Sequence, residues 1–413
     1  VDQSYSREFH YSNNKKILFQ NSLLIPVIVS CIFLLVLSFY KENFSLFIFG
    51  NSSYSYISIL FGLAVIFGVF ERFILMSIRM EEKALEYSVF SVLLKIVILI
   101  VTVFLIYIGE RDFTVVVYST LIGQMVGDLY LIVRYKSLFT DVKFKNFSWP
   151  LINTLLRFGF PLLVSVSVNY FLNTTGSLFL RIYGTFNDLG IYTAGQKIAN
   201  LLTLIQISFT SFWVPLSYRW YKEGKSQVHF QVISDCLLLI ATVGFFILAI
   251  FKKNITLLLS TSYSDSQYII CLLALVPILY TLSETTTLGI VFSKRSYLNI
   301  YVSLFSISTC LITSLILVPK IMATGAALAI SISYLVFYYT RTYFSKKNKF
   351  QIFVKKQSMQ ILVLLFAGIM NAYNLKYIIL LNIILLFISL VIQRDTLRTI
   401  QDIKKNPINY DFS

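Results

Sequence analysis

The stretch Arg157–Lys197 reads RFGFPLLVSVSVNYFLNTTGSLFLRIYGTFNDLGIYTAGQK. Between Arg157 and Arg181 lie 23 residues with no formal charge. A helix crosses the hydrocarbon of a bilayer in about 20 residues, so this run is long enough to span one. A short polar turn follows, then a second apolar run that admits Lys197 near its start. Neither run is uniformly greasy. Asn169, Asn173 and Gly176 fall at i, i+4 and i+7 and share one helical face. Thr193, Gln196, Asn200 and Thr203 follow at three- and four-residue steps, with Lys197 beside them. Amides and hydroxyls gathered on one face of a membrane helix either pack against a neighbour or line a wet cavity. A water-filled path between these two helices is the structural expectation.

The rest of the chain has the same character. Of 413 residues 57% are hydrophobic and 13% charged, with a mean hydropathy of +0.76. A soluble domain carries about 25% charged residues, so the excess apolar surface points to lipid as the solvent. The 37 Phe and 27 Tyr suit hydrocarbon and interfacial belts. A net charge of +16 on a soluble chain would point to nucleic acid. Here the cations cluster in a few short polar segments, which is how membrane orientation is written, and no nucleic-acid partner is expected.

Twelve apolar runs reach spanning length, near 17–39, 56–76, 88–108, 114–133, 155–180, 191–217, 232–250, 267–291, 297–318, 323–340, 357–373 and 376–393. Open strands cannot satisfy their backbone in lipid, so the expectation is an all-α polytopic membrane protein. Pro26, Pro161, Pro215 and Pro277 lie inside runs and each can kink its helix. With both termini in the cytoplasm, 26 of the 35 basic residues fall on the inner side and seven on the outer. That asymmetry fits the positive-inside rule and puts the C-terminus in the cytoplasm. The longest inner link, 134–154, is basic and separates four runs from the eight that follow.

Charges within or beside the runs are costly unless paired, wet or able to snorkel. They are Lys95, Lys197, Glu284 and Asp128, with Arg157 and Arg181 bracketing the fifth run. Glu284, inside TLSETTTLG, reads either as a cavity-facing carboxylate that carries an ion or gates, or as an acid hydrogen-bonded to its threonines. Lys197 reads as a contact for an anionic substrate or as a snorkelling lysine, and Lys95 is open in the same way. Arg157 and Arg181 read as anion contacts or headgroup anchors. Asp128 reads as a coupling group or as the partner of a nearby cation. The cysteines, Cys31, Cys236, Cys271 and Cys310, have no metal or disulfide spacing, and His10 and His229 are far apart, so no metal site is expected. No nucleophile elbow, phosphate loop or zinc-protease helix occurs, so the chain does not read as an enzyme.

Several segments together resemble one family. RFGFPLL at 157–163 resembles the Arg-Phe-Gly-x-Pro opening of bacterial polysaccharide biosynthesis membrane proteins. DLGIYTAGQKIANLL at 188–202 is similar to that family's next segment at Leu189, Gly190, Tyr192, Lys197 and Ile198. SFTSFWVPLSYRWY at 208–221 follows in order. LILVPKIMATGAALAISISY at 315–334 matches at Leu317, Pro319, Gly325, Ala326 and Ala327. VDQSYSREFH resembles a polar turn that in these proteins follows the second membrane helix. The family is the oligosaccharide flippases, including O-antigen and capsule repeat-unit translocases, within the multidrug/oligosaccharidyl-lipid/polysaccharide exporters.

The resemblance implies a two-lobed transporter fold like that of the multidrug exporters, with about twelve helices present of an expected fourteen and two preceding Val1. It implies that 1–133 is the remainder of the first lobe, 134–154 the link, 155–340 a six-helix second lobe, and 341–413 a basic loop, a helix pair and a cytoplasmic tail. The implied cargo is an oligosaccharide on undecaprenyl pyrophosphate, moved across the bacterial cytoplasmic membrane without bond chemistry. Proton or sodium coupling is implied as open. Membrane lipid, a polysaccharide polymerase and a chain-length regulator are implied as partners. Arg157, Lys197, Arg181, Lys95, Asn173 and Asn200 are then candidates for the substrate cavity, and Glu284 and Asp128 for coupling or gating. Gly159, Pro161, Pro215, Pro277, Pro319 and Gly325 are candidates for packing or hinges. Where many members carry an acidic–basic pair in the fifth helix, this chain has Thr175-Gly176-Ser177. The alternatives are a multidrug antiporter of the same superfamily and a non-transporting membrane partner of the assembly machinery.

Overall fold

A computed structural model describes residues 2–405 apart from 10–11, 13, 82, 109–111, 141–146, 258, 294, 296 and 351. The side chains of 2, 3, 7, 84, 113, 158, 161, 162, 164–166, 168, 169, 211 and 215 are also outside the description. Among the described residues the regular structure is entirely helical. The chain divides into two compact units, Val1–Val164 and Ser165–Ser413.

In the first unit, α1 (Asp2–Glu8) and α2 (Lys15–Phe39) are followed by α3 (Lys41–Phe49), α4 (Ser55–Met80), α5 (Ala84–Ile108), α6 (Phe113–Arg134) and the start of α7 (Trp149–Tyr183). Helix α2 begins where Asn14 Oδ1 accepts the Ile17 N–H at 3.1 Å. Tyr5 and Phe9 of the first segment are fully buried against Phe19 and Phe73. Ser4 Oγ donates to the Leu155 carbonyl at 2.8 Å, so the first helix is tied to the last. Helices α5 and α6 close on glycine: a Cβ on Gly123 would lie 2.8 Å from Ile98 Cα.

The second unit holds the rest of α7, then α8 (Phe186–Ala199), α9 (Leu201–Lys222), α10 (Gln227–Thr256), α11 (Ile270–Thr286), α12 (Leu288–Phe292), α13 (Leu298–Lys347), α14 (Lys355–Asn371), α15 (Ile378–Ile392) and α16 (Arg394–Lys405). Helix α11 is its axis, with most of its residues buried against α8, α9, α10, α13 and α14.

The outer surface is unlike that of a water-soluble protein. On α5, Val89, Val92, Ile96, Leu99 and Val103 are exposed. On α15, Ile379, Ile383 and Phe387 are exposed while Asn382, Ser389 and Gln393 beside its end are fully buried. So apolar an outside is stable only where hydrocarbon replaces water. Several of the buried polar groups bond one another. Asn371 and Asn382 exchange amide hydrogen bonds at 2.8 and 3.1 Å. Gln360 donates to Ser389 at 2.8 Å, and Gln393 to Thr242 at 3.1 Å. Lys252 of α10, 5% exposed, donates to the Asn371 carbonyl at 2.8 Å. That carbonyl lies at the C-terminal end of α14, where the helix dipole favours a cation.

The expectation of about twelve spans out of fourteen is corrected by the helices themselves. Among the described residues seven helices are long and apolar enough to cross a membrane, or nine when two sharply bent pairs each count as one. The seven are Lys15–Phe39, Ser52–Met80, Leu85–Ile108, Thr114–Arg134, Leu201–Lys222, Gln227–Thr256 and Leu298–Lys347. The bent pairs are Thr261–Tyr268 with Ile270–Thr286, at 57°, and Ile378–Ile392 with Arg394–Lys405, at 62°. Apolar content carries no information about helix continuity, and this is where the count fails. The expected sixth span breaks at Asn200, leaving α8 with 14 residues. Helices α14 and α15 have 17 and 15 residues. The expected ninth and tenth spans are two helices joined across a kink within α13. Its geometry is non-helical at Ile321 (φ −133°) and Met322 (φ 41°), just after Pro319. A Cβ on Gly325 would lie 2.5 Å from the Leu317 carbonyl oxygen, so the chain on either side of this break is in close contact.

Candidate functional site

The opening stretch builds one wall of a polar cavity in the second unit. Helix α7 ends at Tyr183, and α8 restarts in a capping box. The Thr185 hydroxyl accepts the Asp188 N–H at 3.2 Å, and the Asp188 carboxylate accepts the Thr185 N–H at 2.9 Å. The two helices close because Gly176 faces Tyr192; a Cβ there would lie 2.4 Å from the tyrosine oxygen. The break at Asn200 then turns the chain into α9.

Around that break lies a cavity of about 500 Å³. Tyr170 and Asn173 enter it from α7, Gln196 from α8, and Thr203 and Gln206 from α9, with Asn200 at the junction. Helix α11 adds Pro277 and Tyr280, and α13 adds Tyr334. Tyr334 Oη donates to Asn173 Oδ1 at 3.3 Å, and Gln196 Nε2 donates to the Asn173 carbonyl at 3.4 Å. The side-chain amides of Asn200 and Gln206 make no hydrogen bond among the described residues. No lining side chain carries a charge.

Next to Tyr280 lies a paired charge. Arg341 Nη1 contacts Glu284 Oε1 at 2.6 Å and donates to Ser283 Oγ at 2.9 Å. Its guanidinium is 4.7 Å from the Phe337 ring and 5.6 Å from that of Tyr280. Both side chains are about one-eighth exposed, at 13% and 12%. Trp213 Nε1 donates to the Glu284 carbonyl at 3.2 Å and fixes that turn of α11. Sequence reasoning put Arg341 in a cytoplasmic loop and missed it as the partner of Glu284. The available signal was aromatic spacing. Tyr334, Phe337 and Arg341 step by three and four, so one face of the tenth apolar run continues past residue 340.

The other candidates are dispersed. Lys197 is exposed on α8 and does not line the cavity, although Gln196 beside it does. Arg157 and Lys95 are exposed on α7 and α5. Arg181, partly exposed, lies 4.6 Å over the Phe186 ring. Gly159 is buried on α7. The side chains of Pro161 and Pro215 lie outside the described residues. In the first unit Asp128 is fully buried on α6 and makes no hydrogen bond of its own among the described residues. Glu71 and Lys95 are within electrostatic reach of it. Gln124, one turn earlier, donates to Glu71 Oε2 at 3.4 Å, and both line a separate cavity of about 240 Å³ with Arg72 and Arg79. No cluster of three or more metal-type ligands occurs among the described residues.

Comparison with known proteins places this architecture. The model of the polysaccharide biosynthesis protein family matches residues 1–220, just over half of the chain. No curated protein sequence matches it. Among solved structures, the lipid II flippase MurJ in its inward closed conformation superposes with a TM-score of 0.71 at 14% identity, over 95% of this chain and 86% of that one. An outward-facing multidrug resistance MATE family transporter of the MOP superfamily gives 0.56 at 15% identity, over 84% and 81%. The Vibrio cholerae MATE transporter VcmN in its bent form gives 0.53 at 14% identity, over 85% and 84%. At these identities the likeness is one of fold. The fold is MATE-like, multi-pass and helical.

Proposed function

Because the chain belongs to the polysaccharide biosynthesis protein family, we propose that it moves a lipid-linked oligosaccharide across the bacterial cytoplasmic membrane. The cargo is a repeat unit on undecaprenyl pyrophosphate, destined for O-antigen or capsular polysaccharide and handed to a polymerase and its chain-length regulator. The observation that carries this reading is the uncharged amide- and tyrosine-lined cavity inside a unit whose outer surface is apolar. A hydroxyl-rich cargo cannot cross hydrocarbon bare, because each unpaired polar group costs several kcal/mol there, on the order of 4–8. The cavity supplies partners that lipid lacks.

Within this reading Lys197, exposed and one residue from Gln196, contacts the diphosphate. Asp128 is the group that exchanges a proton or sodium ion, and the C-terminus faces the cytoplasm. A cationic drug as cargo is disfavoured because the cavity lining presents no carboxylate.

The test is complementation. The complete coding frame is expressed in a strain that lacks its own flippase and carries the donor's glycan genes. Wild type restores surface polymer. Lys197→Ala lowers it about tenfold at equal protein level, a loss equivalent to about 1.4 kcal/mol, and Lys197→Arg keeps it. If a well-expressed wild type leaves lipid-linked units trapped on the inner leaflet, the proposal is wrong for that glycan.

A further inference from the structure

We infer that the α7–α8–α9–α11–α13 cavity holds the neutral sugar rings of the cargo and excludes its diphosphate, an inference that rests on the transport reading. Charge is the first argument. An anion entering the cavity would lose hydration, at a cost of several kcal/mol per ion, on the order of 5, with no lining cation to replace it. Arg341 does not fill that role, since Glu284 neutralises it at 2.6 Å.

The hydrogen-bonding groups are the second argument. Asn200 and Gln206 each present an amide with two donors and an acceptor, and neither is spent on the protein among the described residues. A sugar hydroxyl both donates and accepts, so adjacent hydroxyls on a ring can engage both ends of one amide. A phosphate oxygen only accepts and would leave the amide oxygens facing it.

The walls are the third argument. Tyr280 is stacked on Phe337 with centroids 5.8 Å apart and planes 16° apart, and the Tyr334 hydroxyl is held by Asn173. Tyr334 is only 3% exposed and presents little beyond its hydroxyl, so the flat apolar faces come from Tyr170, 71% exposed, and from Tyr280, and one face of a pyranose is a patch of C–H groups. The volume, about 500 Å³, lies within the usual range for small-molecule sites, about 300–1,000 Å³. Flat faces beside unspent amides suit a neutral saccharide, whereas a diphosphate can use only the amide N–H groups.

The test uses the full chain in lipid nanodiscs, with Cys31 and Cys236 changed to serine and either Thr203→Cys or Leu204→Cys introduced, positions that line the cavity and leave both amides intact. Labelling by a water-soluble maleimide is timed with two probes. One is the repeat-unit glycan released from its lipid by mild acid, and the other is inorganic pyrophosphate. Glycan at ten times its Kd slows labelling at both positions about tenfold, and pyrophosphate leaves it unchanged. Slowing by pyrophosphate overturns the inference. So does an absence of slowing by the glycan in a variant that still restores surface polymer, because transport then does not use this cavity. Loss of surface polymer in the unmodified chain instead overturns the transport reading itself. The two positions guard against one substitution failing to fold.

Discussion

Glu284 shows how one side chain is settled by its surroundings. In the sequence it stood out because a carboxylate deep in an apolar run is expensive. Its cost is met by Arg341, 57 positions later, in a pair whose two side chains are each about one-eighth exposed. Removing one partner of such a pair leaves an uncompensated charge, at about 3–5 kcal/mol, whereas removing both can be near neutral. Arg341→Met therefore lowers the unfolding midpoint in detergent sharply, and Glu284→Gln with Arg341→Met together recovers most of it. A double variant no better than the single one would show that Arg341 acts through its stacking on Phe337 and Tyr280 instead. The acid was legible because a single residue in a run reveals it. Its partner was not, because pairing depends on how α11 and α13 pack, and sequence spacing does not encode that. The cavity was partly legible for the same kind of reason. Asn173 and Asn200 stood on polar faces read from helical periodicity, while Tyr280 and Tyr334 looked like ordinary aromatic residues of apolar runs.

At the scale of the element, what matters is where helices stop. The sequence supports twelve apolar runs, and composition alone cannot tell a continuous helix from a broken one. Asn200 divides α8 from α9 although neighbouring residues on both sides favour a helix. In α13 the break at Ile321–Met322 follows Pro319, which offers no N–H to the preceding turn. The close approach of Gly325 to the Leu317 carbonyl makes this break intolerant of a side chain. The obstructing atoms are backbone and cannot rotate away. Gly325→Ala costs about 1–3 kcal/mol and lowers the melting temperature. The same change at Gly224, whose surroundings are open within 4 Å, costs about 1 kcal/mol through its φ of +68° alone. Equal losses at the two sites would remove the packing argument. At Gly123 the obstruction is again backbone, and Gly123→Val should part α5 from α6, read as faster proteolysis of the first unit.

For the whole molecule, the strongest sequence signal was solvent. Low charge content and high hydropathy identified lipid, and the apolar outer surface follows from it. The exposed stripe of α5 and the buried amides of α15 are two sides of the same choice. The family was legible because its motifs are local and ordered along the chain. The span count was not, because it depends on kinks that only packing determines. Lys252 ties these scales together, since its ammonium bonds the carbonyl end of α14 beside the Asn371–Asn382 amide pair. Lys252→Met orphans that carbonyl, at about 1–3 kcal/mol. It should expose the turn between α14 and α15 to protease before the rest of the second unit opens. Uniform digestion of wild type and variant would show that the hairpin is held by its apolar contacts.

The bond from Lys252 to the end of α14 also has a meaning for genetics. A nonsense codon just past α13 would spare every residue of the amide-lined cavity and both members of the Glu284–Arg341 pair. It would still strip Lys252 and Thr242 of their partners inside hydrocarbon. Late truncations of this gene should therefore behave as null alleles through clearance of the protein, while missense changes on the exposed face of α15 pass unnoticed.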